Sequence, residues 1–339
     1  MKIMPYKNSA TDKPNIIVSG AAGFIGTNLC QQLVTQNHVI AIDNFITGKE
    51  SNIDLLLQNP NFEFIRHDIT QPLDLENFPE LKKFQVAVQG IQAIYNLACP
   101  TSPKDHEQYA LEIIGANSSG VKNMLDLAVQ YQSIFIHTSS QHVYGHALDT
   151  KPIKEDYLGL VNPIDSRSAY DEGKRFAETI VANYQRKFKI NTKIARVFTT
   201  FGPKMAIKEG RAVPDFILHA LNNKDLIIYG NEQTENTFCY IDDIIDGLVK
   251  LAKSDLAGPI NLGHYEKHAL KDVAELIIKM TGSKSKIIYQ DPDWHAASYN
   301  IPDITMAKES LGWFPLIDLE EGLKKTIEFM QTNMRLYEV

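Results

Sequence analysis

Tyr170 and Lys174 stand four residues apart in Tyr170-Asp171-Glu172-Gly173-Lys174. That spacing puts both side chains on one face of a helix. A phenol titrates near pH ~10 and is a poor base at neutral pH. A cation beside it favours the phenolate and is expected to lower that pKa. Ser140, about 30 residues earlier, is expected to donate to the same substrate oxygen. Together the three suit proton removal from an alcohol. A Tyr-x-x-x-Lys match alone carries little weight, because a tyrosine packed at a helix start beside a solvated lysine reads the same way.

A second constellation supplies the weight. Gly20-Ala21-Ala22-Gly23-Phe24-Ile25-Gly26 follows the apolar run Asn15–Ser19 and opens a helical segment. Glycines allow a tight turn and let backbone N–H groups approach a diphosphate, while the helix N-terminus adds partial positive charge. Asp43 closes the next apolar run, about 20 residues past the loop, where a carboxylate accepts hydrogen bonds from the ribose hydroxyls of NAD. It would repel the extra phosphate of NADP, and no arginine adjoins it in sequence. Asn44 and Gly48 belong to the same expected cofactor segment. Asp68, with Ile69, follows a third run and is placed to meet the adenine amine. Leu97, Ala98 and Cys99 follow a fourth and are expected along the cofactor. The competing reading is a structural glycine turn with a solvated aspartate. With Lys174 bonded to the nicotinamide ribose, the two constellations combine into hydride transfer between an alcohol and NAD.

The elements that must position these groups alternate. Strands are expected at Asn15–Ser19, His38–Asp43, Phe62–Asp68, Ala93–Ala98, Ser133–Ser139 and Lys193–Phe198, and helices at Phe24–Gln36, Asn117–Tyr131 and Ser168–Phe188. Such alternation predicts an α/β fold, a Rossmann-type doubly wound parallel sheet. After Phe201 the chain is richer in Pro, Gly and Asn. The expected division is a loose tail over 1–13, an NAD-binding Rossmann domain over 14–200, and a smaller C-terminal substrate-binding lobe over most of 201–339. Within that lobe 239–253 reads as a helix able to pack back on the main domain.

Composition narrows the alternatives. The 339 residues are 44% hydrophobic and 22% charged, with a formal charge of -7. That balance gives no electrostatic reason to expect nucleic acid. Cys30, Cys99 and Cys239 lack disulfide or zinc spacing, which fits reduced thiols and a cytoplasmic location. His264, His268 and His295 are scattered, with no carboxylate cluster, so no metal is expected. No apolar stretch reaches membrane-spanning length.

These residues resemble the extended short-chain dehydrogenase/reductase family, the NAD-dependent epimerases and dehydratases. The resemblance spans nearly the whole chain and is nearest to UDP-glucuronate decarboxylases. It is carried by the glycine loop, Asp43–Gly48, Ala98–Pro103, Asn162–Arg175, Ala195–Met205 and Ile301–Ile304. It implies NAD, a nucleotide-sugar substrate, oxidation of the sugar at C4, and a homodimer joined by a four-helix bundle built from the two long helices. It also implies Arg211 near the nucleotide diphosphate, and Tyr229, before Gly230, either stacks on the base or is simply core. The chain departs from the decarboxylase pattern at four positions. His142 stands where the family has an acidic residue, Thr199 where it has Asn, and Asn236 and Asn300 where it has Arg. Gln141 and His142 also replace the Asp-Glu pair of the dehydratases. Thr199, Asn236 and Asn300 are expected to meet substrate, and His142 is either a general acid or base or a group that only bonds a hydroxyl. The departures leave open whether the 4-ketone is decarboxylated, released or reduced to an epimer. An NAD-binding regulatory protein on the same scaffold is the reading of another class.

Overall fold

The apolar runs become parallel strands. The computed structural model describes residues 13–145, 151–207, 210–291 and 300–333. Residues 1–12 of the expected tail, and His295, lie outside them. The first strands are β1 (Asn15–Ser19), β2 (His38–Asp43), β3 (Phe62–Arg66), β4 (Ala93–Asn96), β5 (Ile134–Ser140) and β6 (Thr192–Val197). Shorter strands follow: β7 (Thr200–Phe201), β8 (Leu226–Tyr229), β9 (Glu235–Thr237), β10 (Cys239–Tyr240), β11 (Pro259–Leu262), β12 (Lys267–Ala269) and β13 (Ile287–Gln290). The helices are α1 (Phe24–Leu33), α2 (Val86–Gln89), α3 (Asp105–Gln108), α4 (Ala110–Gly115), α5 (Val121–Tyr131) and α6 (Ser168–Phe188), then α7 (Ala212–Leu221), α8 (Ile241–Lys253), α9 (Leu270–Thr281), α10 (Thr305–Leu311) and α11 (Leu319–Thr332).

Among the described residues the main sheet has the order β11-β6-β5-β4-β1-β2-β3, and its neighbours all pair in parallel. Both faces are covered, which is why the strands read as continuous apolar runs rather than alternating ones. Leu29, Ile244 and Leu248 lie in the core of one face, and Met124, Leu125, Ala177 and Val181 in that of the other. Shielding a large apolar side chain in this way contributes roughly 1.5–3 kcal/mol. Strand order reverses between β1 and β4, and a ligand crevice opens at such a reversal. The glycine loop leaves β1 at this point.

Several expected boundaries shift. The third and fourth strands stop at Arg66 and Asn96, where the chain turns out to line the crevice; Asp68 Oδ1 closes one turn by accepting from Thr70 N at 2.9 Å. The expected helix over Asn117–Tyr131 starts earlier. Helical backbone runs from Ala110 through one π turn, Ala116–Gly120, into α5. The segment 239–253 is β10 followed by α8. This helix packs against α1, β5 and β6, because Ile244, Ile245, Leu248 and Leu251 form its buried face. β11 then extends the main sheet beside β6, so the chain re-enters the sheet after position 201.

A largely buried clamp, its two charged side chains 12 and 13% exposed, fixes α6 against the sheet. Arg196 Nε and Nη2 donate to the two carboxylate oxygens of Glu178 at 2.9 and 2.7 Å, and Nη1 donates to the Tyr144 hydroxyl at 2.9 Å. Glu178 also accepts from Ser139 Oγ at 2.6 Å. Removing one member strands a buried charge. Glu178→Ala is therefore expected to lower stability by about 3–5 kcal/mol, read from urea denaturation midpoints. An unchanged midpoint would show that the clamp contributes nothing.

Candidate active site

The glycine loop is built for close approach. Gly20 has φ +73°, and a Cβ on it would lie 2.8 Å from the Ala98 nitrogen. A Cβ on Gly26 would lie 2.0 Å from the Gly20 carbonyl oxygen. Neither position admits a side chain. The first turn of α1 carries no acidic residue, so its positive end stays uncompensated for an anion. Asp43 ties the loop to the end of β2, its two oxygens accepting from Ala22 N at 2.9 Å and Phe45 N at 2.8 Å. Burial pushes its carboxyl above the usual range, while these backbone hydrogen bonds oppose the shift. Gly48 lies against the same carboxylate. Arg66 sits opposite Asp43 in the β2–β3 register, with its guanidinium 5.6 Å over the Phe45 ring.

Two clefts, of about 370 and about 300 Å³, meet at Gly20, Asp43 and Cys99. Gly23, Phe24, Ile25, Gly26 and Leu97 line the larger; Asn44, Asp68, Ile69 and Ala98 line the smaller. A glycine loop between two clefts fits a dinucleotide, with its diphosphate at the loop and one nucleoside on each side.

Tyr170, Lys174 and Ser140 come together on the wall of the larger cleft. Lys174 Nζ donates to the Thr138 carbonyl at 3.0 Å and lies 5.9 Å from the Tyr170 ring centroid. Ser140 stands beside the Tyr170 phenol, where its hydroxyl favours the phenolate, and accepts from His142 N at 3.3 Å. The expected lowering of the Tyr170 pKa does not occur. Burial pushes the phenol up, the Cys99 thiol adds to that, and the Ser140 hydrogen bond and the Arg211 charge only partly oppose it. Burial also pulls the Lys174 ammonium down, with Cys99 and Glu178 opposing.

Histidines flank the phenol on two sides. His106 stacks on Tyr170 at 4.9 Å, and His142 meets it edge-on at 5.7 Å. Arg167 Nη2 lies 3.0 Å from His142 Nδ1. The same Nη2 lies 3.4 Å from His142 Nε2. Arg167 is also 3.8 Å from Asp171. Burial raises the Asp171 carboxyl to about 6, against the lowering effect of Arg167.

Thr199, Asn236, Arg211 and Tyr229 line the same cleft. Arg211 Nη2 donates to the carbonyl and hydroxyl of Thr101 at 3.1 and 2.9 Å. Tyr229 is 46% exposed at the end of β8. Asn300 does not line the cleft; its Nδ2 donates to the carbonyls of Gly145 and Gln141 at 3.0 and 3.4 Å, holding the turn that carries His142. His264 Nδ1 accepts from Glu266 N. Among the described residues no group of three His, Cys, Asp or Glu side chains is placed to hold a metal, and no helix is long and apolar enough to cross a membrane. Sequence reasoning missed His106, Arg167 and the buried contacts of Gln141. His106 has no local signal, since α3 approaches α6 only in the fold.

Residues 16–263 match the model of the NAD dependent epimerase/dehydratase family. The chain is 39% identical over 338 residues to UDP-glucuronic acid decarboxylase 5 of Arabidopsis thaliana, covering 98% of this chain and 93% of the relative. It is 36% identical over 327 residues to UDP-glucuronic acid decarboxylase 1 of Xenopus tropicalis, covering 96% and 74%. Its structure is similar to that of UDP-glucuronic acid 4-epimerase from Bacillus cereus in complex with UDP-glucuronic acid and NAD, with a TM-score of 0.82, 28% identity, and 94% and 99% of the two chains covered.

The Asp171 shift has a stability consequence. Its folded pKa of about 6 lies above the unfolded value of about 3.9. The folded state thus binds more protons between those values, and stability falls as pH rises through the window. Asp171→Asn removes this dependence. Urea denaturation should show the variant gaining on the parent between pH ~4 and ~6; parallel pH profiles would contradict the shift.

Proposed function

The chain belongs to the NAD dependent epimerase/dehydratase family, and from that membership we propose that it oxidises C4 of a nucleoside-diphosphate sugar. The observation that carries the proposal is the meeting of Tyr170, Ser140 and Lys174 beside the glycine loop, on the wall of the larger cleft. When bound, NAD supplies the hydride acceptor and a positive charge that favours the phenolate. Tyr170 takes the proton of the C4 hydroxyl and returns it when a ketone is reduced. Ser140 bonds the same oxygen and keeps it in line with the phenol. Lys174, anchored on Thr138, contributes fixed positive charge to the pocket.

The remaining assignments are supported by position. Asp43 and the glycine loop serve the adenosine side, with Asp68 and Ile69 along the smaller cleft. Arg211 and Tyr229 come from the segment after Phe201 and face the nucleotide of the substrate. His142, edge-on to Tyr170, is placed to bond a substrate hydroxyl beside the phenol. The three cysteines are unpaired, in keeping with a reducing cytoplasm. A homodimer is supported by apolar side chains left outward on α4 and α6. Ile114 on α4 is 47% and Phe176 on α6 53% exposed, and the two helices pack together, so a second copy would cover both.

Tyr170→Phe is expected to cut NADH formation by about 10²–10⁴-fold, with NAD affinity unchanged by calorimetry. Comparable turnover in the variant would refute the role. Phe176→Asp is expected to turn a sedimenting dimer into a monomer; a monomeric parent protein would remove the dimer.

A further inference from the structure

Two charges of opposite sign close the adjoining strands β2 and β3. Asp43 pairs with Arg66 in the parallel register, as Val39 does with Phe62 and Ala41 with Phe64. Neighbouring strands lie about 4.8 Å apart, and side chains alternate between the two faces along each. Val39, Ala41, Phe62 and Phe64 all pack in one core cluster, so Asp43 and Arg66 share that face. The sequence puts no arginine beside Asp43, but the sheet does. Both Asp43 oxygens accept from backbone N–H groups, Ala22 N at 2.9 Å and Phe45 N at 2.8 Å. Phe45 joins the two charges. Its backbone is left-handed, φ +61°, a conformation that a bulky residue rarely takes. The turn aims its N–H at Asp43 and lays its ring 5.0 Å from Phe64 and 5.6 Å from the Arg66 guanidinium. Arg66 is exposed, and among the described residues it makes no hydrogen bond or ion pair.

We propose that Arg66 is a phosphate-binding residue held in reserve at the adenosine end of the cofactor site: it takes the 2′-phosphate of NADP, and Asp43 alone sets the preference for NAD. The carboxylate that closes β2 meets the ribose hydroxyls of a bound dinucleotide. A 2′-phosphate therefore enters beside Asp43, on the face that carries Arg66. A guanidinium offers paired N–H groups that match phosphate oxygens. Its contact with an aromatic face at an exposed site is weak, so the side chain is free to turn from the Phe45 ring to the ligand. Asp43 acts in the opposite direction, since its carboxylate meets the same phosphate with like charge. It cannot swing away, because Ala22 N and Phe45 N hold both of its oxygens. The site thus binds NADP, more weakly than NAD, and two side chains set the ratio.

The test titrates the full chain calorimetrically with NAD and with NADP, in the absence of sugar. The parent should bind both, NAD more tightly. Asp43→Asn removes the charge and keeps an amide oxygen for the loop; it should raise the affinity for NADP relative to NAD by about tenfold or more. Arg66→Ala should lower the same ratio by a similar factor in the parent, and should erase the gain in the double variant. Arg66→Lys, a point charge without the planar fork, should fall between the two. A ratio that Arg66→Ala leaves unmoved in both backgrounds would overturn the inference, as would NADP that binds neither the parent nor Asp43→Asn. NAD affinity reports the folding of each variant. Because no sugar is present, either outcome leaves the C4-oxidation reading untouched.

Discussion

The site depends on one buried cation. Lys174 enters the core at the start of α6 and spends a proton on the Thr138 carbonyl at the end of β5. That bond sets the rotation of α6 against the sheet. Tyr170, one helical turn earlier, is thereby aimed at Ser140 on the same strand. The Arg196–Glu178 clamp acts one turn past Lys174 along α6, joining it to β6 and to Ser139. An ammonium taken out of water needs such compensation, and the fold supplies it from a strand-end carbonyl.

Beneath the strand ends lies a second polar layer. Ser19 Oγ donates to Asn96 Oδ1 at 2.8 Å, and Asn96 Nδ2 meets His137 Nδ1 at 3.2 Å. Burial holds His137 well below its ordinary pKa, so it stays a neutral acceptor at physiological pH. These residues lock β1, β4 and β5 in register where the crevice opens. The π turn plays a related part. It presents Asn117, whose Nδ2 bonds both Cys99 Sγ and Ile113 O, and so fixes the loop on which the two clefts meet. Single π turns are often found beside functional sites.

What could be read in advance follows from the range of each interaction. The parallel strands were legible because burial on both faces writes itself as unbroken apolar runs. The span of α6 was legible from its periodicity, and the pairing of Tyr170 with Lys174 from helical spacing. The glycine loop and Asp43 were legible because a tight turn needs particular residues at particular positions. The π turn was not, since Ala116–Gly120 holds only small and polar residues and so carries no apolar pattern to read. The direction of the Tyr170 shift was not, because it reflects enclosure by His106 and His142 from other parts of the chain. Asn300 looked like a substrate ligand by position, yet its Nδ2 is spent on two carbonyls and its buried Oδ1 is outside the cleft lining. The return of β11 to the main sheet had no local mark either.

The central claim is that the phenol of Tyr170 works on the C4 oxygen of a sugar. The most direct measurement is a crystal structure of the protein with NAD and a nucleotide sugar bound together. The account predicts the Tyr170 hydroxyl about 2.6–3.2 Å from the C4 oxygen, with the dinucleotide spanning both clefts across Gly20. A dinucleotide lying elsewhere, or a phenol out of reach of C4, would contradict it.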